Sequence, residues 1–194
     1  MKKDQILIVP TTKELEQELN RESYKLKYKK LLKSTIYILI IVVSISVIVA
    51  TFLFPVLKIY GESMKPNLKE NDIVLCVKNA KYKPGNIIAF YYNNKILVKR
   101  VIAKSSDWVN IDEEGNVYVN DKLIEENYIK EKMRGESDIK YPYQVPEGSY
   151  FVLGDKRDTS VDSRSSLIGT ISSEDIIGKI IFRVWPLKQI RIIK

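Results

Sequence analysis

Ser63, Lys99 and Ser160 lie far apart in a chain that contains no histidine. A serine nucleophile needs a base, and without imidazole both the usual base and the commonest zinc ligand are missing. Lysine can take that place if its amine is neutral near pH 7. Lys99 lies in Ile96-Leu97-Val98-Lys99-Arg100-Val101-Ile102-Ala103. Read as a strand, this run puts Leu97, Lys99, Val101 and Ala103 on one face, so the lysine has apolar neighbours. Burial there disfavours the ammonium. Moving the pKa from about 10.4 to about 7.5 takes roughly 4 kcal/mol, within the range of about 3–5 units that burial can supply. The third element is Gly154-Asp155-Lys156-Arg157-Asp158-Thr159-Ser160-Val161-Asp162-Ser163-Arg164. A neutral amine needs an orienting partner that does not recharge it. A hydroxyl such as Ser160 serves, whereas a carboxylate would raise the lysine pKa. Asp162 and Arg164 read as braces of this loop. Each element also has a plainer reading: Ser63 as a turn or capping residue, Lys99 as an edge lysine whose stem snorkels to water, and the loop as a polar segment held by its own bonds.

The elements that would position these groups begin with a charge-free apolar stretch, Ile36–Leu57, ending just before Gly61-Glu62-Ser63-Met64-Lys65-Pro66. As a helix its roughly 22 residues cover about 33 Å, enough for a hydrocarbon core of about 30 Å. A cleaved signal peptide would have a shorter apolar core and a small-residue cleavage site; here Lys58-Ile59-Tyr60 follows. Lys25, Lys27, Lys29, Lys30 and Lys33 crowd the N-terminal flank, which marks that side as cytoplasmic. The expected organisation is a cytoplasmic segment 1–33, a transmembrane helix 34–57 and an extracytoplasmic domain 58–194. The net charge of +8 is explained by topology and anionic lipid headgroups rather than by nucleic acid. Thr11 or Thr12 could cap a helix carrying Leu15, Leu19, Glu22 and Leu26 and continuous with the span.

Beyond Asp72 the period becomes that of strands. Ile73–Val77, Asn86–Tyr92, Lys95–Ala103, Trp108–Asp112, Val117–Asn120 and Ser149–Leu153 are short and rich in β-branched or aromatic residues, with turn signals between them. Gly178–Trp185 and Gln189–Ile193 read as closing strands, and Ser172–Asp175 as one short helical turn. Ile129–Pro146 reads as a mobile or irregular excursion. The predicted class is mainly β, antiparallel sheets or a partial barrel, behind one N-terminal helix. The single cysteine, Cys76, rules out an internal disulfide and reads as a small buried hydrophobe.

Taken together, Gly61-Glu62-Ser63-Met64-Lys65-Pro66-Asn67-Leu68, Asn71-Asp72-Ile73-Val74, Val98-Lys99-Arg100-Val101-Ile102 and Gly154–Arg164 resemble, in order, the conserved blocks of type I signal peptidases. These are membrane-anchored Ser/Lys proteases that remove signal peptides from exported proteins, and the single-span bacterial branch is the nearest match. The resemblance implies the antiparallel β fold of that family, Ser63 as nucleophile, Lys99 as general base and Ser160 as the residue orienting its amine. It also implies Asp155, Arg100, Asp162 and Arg164 as the frame of the site, and Leu68, Val74 and Val98 as lining of shallow pockets for small side chains. No metal or cofactor is implied; the partners are signal-peptide-bearing preproteins and membrane lipid. Asn67 stands where threonine is common, and Asn71 where glycine is common. Asparagine tolerates positive φ, so that turn is expected to survive. Gly61 offers no hydroxyl to an oxyanion hole, leaving the Ser63 N–H, with a backbone N–H near Gly61, as the expected donors. Two other readings keep the fold: a catalytically silent membrane-anchored binding or scaffold relative, and a specialised peptidase with a narrow substrate set. Self-cleaving repressors share Ser/Lys chemistry, but they are soluble and carry a DNA-binding domain.

Overall fold

The structure, a computed structural model, describes residues 11–78 and 80–193. Of the expected N-terminal segment 1–33, Met1–Pro10 lie outside the described residues. The chain divides into two compact units, Met1–Ala50 and Thr51–Lys194.

The first unit is dominated by one helix, α1, Thr12–Leu53. Thr11 caps it: its N–H and Oγ1 both donate to the Glu14 carboxylate, at 2.8 and 2.9 Å. The expected cap and the expected continuity with the apolar span are both present. Among the described residues, α1 is the one helix long and apolar enough to cross a membrane. It ends earlier than the sequence reading placed it, at Leu53 rather than Leu57. Pro55 explains the stop, because a proline disfavours helical backbone at the residue before it and cannot donate a helical bond. The charge-free part from Ser34 to Leu53 still covers about 30 Å, a full hydrocarbon thickness.

Val56 and Leu57, expected to finish the span, instead form strand β1 (Val56–Lys58) together with Lys58. It pairs antiparallel with β2 (Ile73–Val77), with Leu57 opposite Val74. The larger sheet continues through β3 (Ile87–Tyr92), β4 (Lys95–Lys104), β9 (Ser149–Leu153), β10 (Ile171–Ser172), β11 (Ile176–Trp185) and β12 (Arg191–Ile192). Its order is β1-β2-β11-β3-β4-β9-β10, with β12 added to β11. A smaller sheet holds β5 (Trp108–Ile111), β6 (Val117–Val119), β7 (Lys122–Leu123) and β8 (Tyr143–Gln144), in the order β7-β6-β5-β8. All the pairings are antiparallel, as the turn-punctuated pattern predicts. The short turn at Ser173–Asp175 is a single 3-10 turn capped by the Ser172 hydroxyl.

Alternation sorts the strand residues into separate cores. Ile87 and Ala89 pack with Met64, Leu68, Val74, Cys76 and Ile180. Their neighbours Ile88 and Phe90 pack on the other face with Val101 and Val152. A third cluster, with Val109, Val117, Phe151 and Leu153, joins β9 to the smaller sheet. Cys76 is fully buried, and desolvation pushes its thiol up to about 12, which fits an inert packing role. Ile129–Pro146 is irregular apart from β8, but it is tied down: Arg164 donates to Arg134 C=O, and Ser166 donates to Asp138.

Candidate active site

Ser63 sits in the loop between β1 and β2. Asp72 C=O accepts from the Ile59 N–H, and Ile59 C=O accepts from the Asn71 N–H, closing the loop at its neck. Asn71 adopts φ 69°, as its tolerance for left-handed backbone predicts. Inside the loop, Met64 and Leu68 are buried in the core and joined by a Leu68 N–H to Met64 C=O bond. Those two anchors hold Ser63 half-buried at the loop's rim. The Ser63 carbonyl in turn accepts from the Lys156 N–H at 2.9 Å.

Lys99 comes from the middle of β4, where it pairs with Ile88 of β3. Only 4% of it is exposed, yet among the described residues its amine has no carboxylate at hydrogen-bond distance; Nζ donates to Ser160 Oγ at 2.8 Å. Burial is the main influence on this amine and brings its pKa down from 10.5 to about 8. The charges of Asp162 and Asp155 oppose that shift, and the charge of Arg164 reinforces it. The expected desolvated lysine beside a hydroxyl is therefore present.

Gly154, at the start of the third loop, shows how tightly these parts converge. A Cβ there would overlap the Ser160 side chain and lie 2.8 Å from the Ser63 carbonyl oxygen. Residue 154 has to be glycine so that the Ser160 loop and the Ser63 loop can meet, a requirement that no local pattern reveals. Ser63 and Lys99 both line a narrow cleft of about 40 Å³, together with Leu57–Gly61 and Ile96–Val98. β4 pairs with β9 only from Arg100 onward, so Lys95–Lys99 have one strand edge unoccupied among the described residues.

Around this point runs a set of buried ion pairs. Arg100 grips Asp155 with two bonds of 2.8 and 2.7 Å and lies 4.0 Å above the Tyr128 ring. Asn67 Nδ2 donates to Asp155 Oδ2 and to Tyr128 C=O, both at 2.8 Å. Arg164 grips Asp162 at 2.8 and 2.9 Å, and Asp162 also accepts from the Gly154 N–H at 2.9 Å. Burial works against the Asp162 charge, but Arg164 and that N–H prevail, with a smaller contribution from the Ser160 hydroxyl, and hold its carboxyl below the usual range. Arg157 pairs with Glu126, and Tyr128 Oη donates to the same carboxylate. The expected brace residues Asp155, Arg100, Asp162 and Arg164 all converge here. Glu126, Tyr128, Arg157 and Asn67 went unassigned in the sequence, since their partners are distant along the chain.

The expected pocket residues divide. Val98 lines the cleft, but Leu68 and Val74 are fully buried in the core and do not. Their packing with Met64 accounts for both. Leu57, Ile59, Met64 and Ile96 supply the rest of the apolar wall. Among the described residues there is no cluster of three or more acidic, histidine or cysteine ligands that could hold a metal ion.

The comparisons decide the family. Residues 31–185 match the family model described as signal peptidase, peptidase S26. This chain belongs to the signal peptidase family. It is 33% identical over 164 residues to signal peptidase I of Bacillus amyloliquefaciens, covering 79% of this chain and 88% of that protein. Signal peptidase I U of Bacillus subtilis strain 168 is 32% identical over 187 residues, covering 89% and 98% of the two chains. A thylakoidal processing peptidase 1 of Arabidopsis thaliana is 32% identical, although this chain spans only 47% of its length. The chain is accordingly a peptidase of the S26 signal peptidase I type, and its apolar N-terminal helix is consistent with membrane anchoring.

Proposed function

We propose that this signal peptidase cleaves preproteins with Ser63 as nucleophile and neutral Lys99 as general base. The observation that carries the reading is a lysine amine that is buried, bonded to a hydroxyl rather than a carboxylate, and placed in one cleft with the serine. An extended substrate would add to the unoccupied edge of β4 at Lys95–Lys99, in the cleft that Leu57–Gly61 also line. The small volume there suits small side chains before the cut. Lys99 Nζ takes the proton as Ser63 Oγ attacks the scissile carbonyl, then gives it to the departing amine. Water, giving its proton to the same amine, attacks the ester carbonyl; the C–Oγ bond then breaks as Nζ returns the proton to Ser63 Oγ. Ser160 holds Nζ by accepting from it and leaves the amine's charge to be set by burial.

The Ser63 N–H is bonded by no described residue and is available to the developing oxyanion; the Gly61 region would supply the second donor. Gly61 adopts φ +81° with open space around it, a backbone turn that suits such a role. The lysine-rich flank of α1 supports an N-terminus in the cytoplasm and a β domain outside, where exported preproteins emerge. Anchoring enzyme and substrate in one bilayer would raise their effective concentration.

The test uses full-length protein in non-ionic detergent with an exported preprotein, followed by sequencing of the new N-terminus. Ser63→Ala and Lys99→Ala are each expected to lower kcat/KM by more than about 10³-fold. Wild-type processing by either variant would refute the dyad. The reactive form of the base is the neutral amine, so the rate is expected to rise with pH through an apparent pKa of about 8. A rise only near pH 10 would show that the lysine is not desolvated in the working enzyme.

A further inference from the structure

A second, larger cavity, about 390 Å³, is lined from the same loop: Met64 lines the cleft, and the next residue, Lys65, lines this second space. The two share no lining residue, but the Ser63 C=O to Lys156 N–H bond joins their walls. Lys65, Lys69, Lys130 and Lys156 outnumber Glu131 and Asp158 around it. Asp155 and Arg157 also border it, but both are buried and committed to Arg100 and Glu126. Lys65 is held by Glu62 at 2.5 Å, and Lys156 reaches Asp158 only at 3.8 Å. Lys69 and Lys130 have no comparable partner among the described residues and leave a positive field over a floor that includes Pro66 and Met133.

Resting on the dyad reading above, we propose that this cavity receives the segment that follows the cut and selects for acidic side chains there. The acyl side of an extended substrate occupies the cleft along β4, so the leaving side has to pass Ser63 in the other direction. The walls that begin at Lys65 and Lys156 are the surface it meets. At about 3.3 Å per extended residue, the first few residues after the cut lie within reach of the cavity. An aspartate or glutamate among them answers the unmatched lysines, and a lysine or arginine is repelled. These charges would govern substrate choice, whereas the bond-breaking chemistry stays with Ser63 and Lys99.

The experiment uses the full chain in non-ionic detergent with three quenched peptides. They are identical up to the cut and carry Asp, Asn or Lys at the second to fourth positions after it. The expected order of kcat/KM is Asp over Asn over Lys, with about fivefold between the extremes at low salt and less at high salt. In Lys69→Glu combined with Lys130→Glu the order is expected to invert. Equal cutting of all three peptides by the wild type would overturn this inference and leave the dyad standing. Failure to cut any of them would sink the peptidase reading, and this inference with it. A third arm adds phosphatidylglycerol to the micelles. If that lipid accelerates all three peptides alike, and the charge-reversed variant loses the acceleration, the lysines serve lipid headgroups and the proposal is overturned.

Discussion

Lys99 and Arg100 are consecutive in β4 and almost equally buried, at 4% and 3% exposure, yet they meet opposite electrostatic surroundings. Strand alternation sends them to different faces. Arg100 finds Asp155 and a bidentate ion pair; Lys99 finds a serine hydroxyl. The difference lies in how the 154–164 loop allocates its acids. Asp155 is taken by Arg100 and Asn67, and Asp162 by Arg164 and the Gly154 N–H. The carboxylates nearest to Lys99 are thereby occupied by better-placed donors. A buried arginine stays charged and requires a partner, whereas a buried lysine can shed its proton, which a base needs to have done beforehand.

The strongest way to break this contrast is to release one acid. Arg164→Met would strand the buried Asp162 carboxylate and also remove the guanidinium bonds to the carbonyls of Arg134, Arg157 and Ser160. Removing one partner of a buried pair costs about 3–5 kcal/mol. The urea midpoint of the variant is expected to fall accordingly. Arg164 also helps to lower the Lys99 pKa, while Asp162 raises it. The rising limb of the pH profile is therefore expected to move above 8 in whatever protein remains folded. Adding Asp162→Asn removes the stranded charge and should bring the limb back down. An unmoved limb in the single variant would show that Asp162 does not act on Lys99.

A smaller effect comes from the lysine itself, and its sign depends on pH. Folding lowers the Lys99 pKa from 10.5 to about 8, so between those values the unfolded chain binds more protons and stability rises with pH. Below about 8 the full penalty of the buried ammonium applies, on the order of 3 kcal/mol. Lys99→Met is expected to lose peptidase activity and yet to be more stable than wild type by about 2–3 kcal/mol at pH 6–7. That advantage should fade as pH climbs through 8 toward 10.5. A variant no more stable at pH 6 would mean that the amine is well solvated when charged.

Much of this contrast could be read along the chain, because it depends on local alternation. The strand at Ile96–Ala103 with Lys99 on an apolar face, the strands Ile73–Val77 and Ser149–Leu153, and the polar loop after Leu153 all announce themselves within a few residues. Val56–Lys58 did not, since an apolar run beside a span reads as more span until Pro55 is weighed. Two-residue strands such as Lys122–Leu123 and Ile171–Ser172 are too short to show a period. Leu68 and Val74 pack in the core, and the sequence alone does not separate that from pocket lining, because an apolar residue in such a block suits either. Glu126 with Arg157, and Asn67 with Asp155, join distant stretches, and no spacing rule connects them.

Asn67 gives the finest test of the allocation, because it touches the acid on the Arg100 side and not the lysine. Its amide makes two bonds, to Asp155 and to Tyr128 C=O, and both sit in the frame behind the site. Asn67→Ala removes both and is expected to cost about 1–2 kcal/mol. Arg100 still holds Asp155 with two bonds, so that carboxylate gains no freedom to approach Lys99. The variant should therefore lose thermal stability while its pH limb stays at about 8. Asn67→Thr, with one hydroxyl proton to donate, can serve one acceptor at a time and should recover about half of the loss. A limb that moved upward in Asn67→Ala would mean that Asp155 depends on the amide as much as on the guanidinium. The separation between the two sides of β4 would then rest on three groups rather than two.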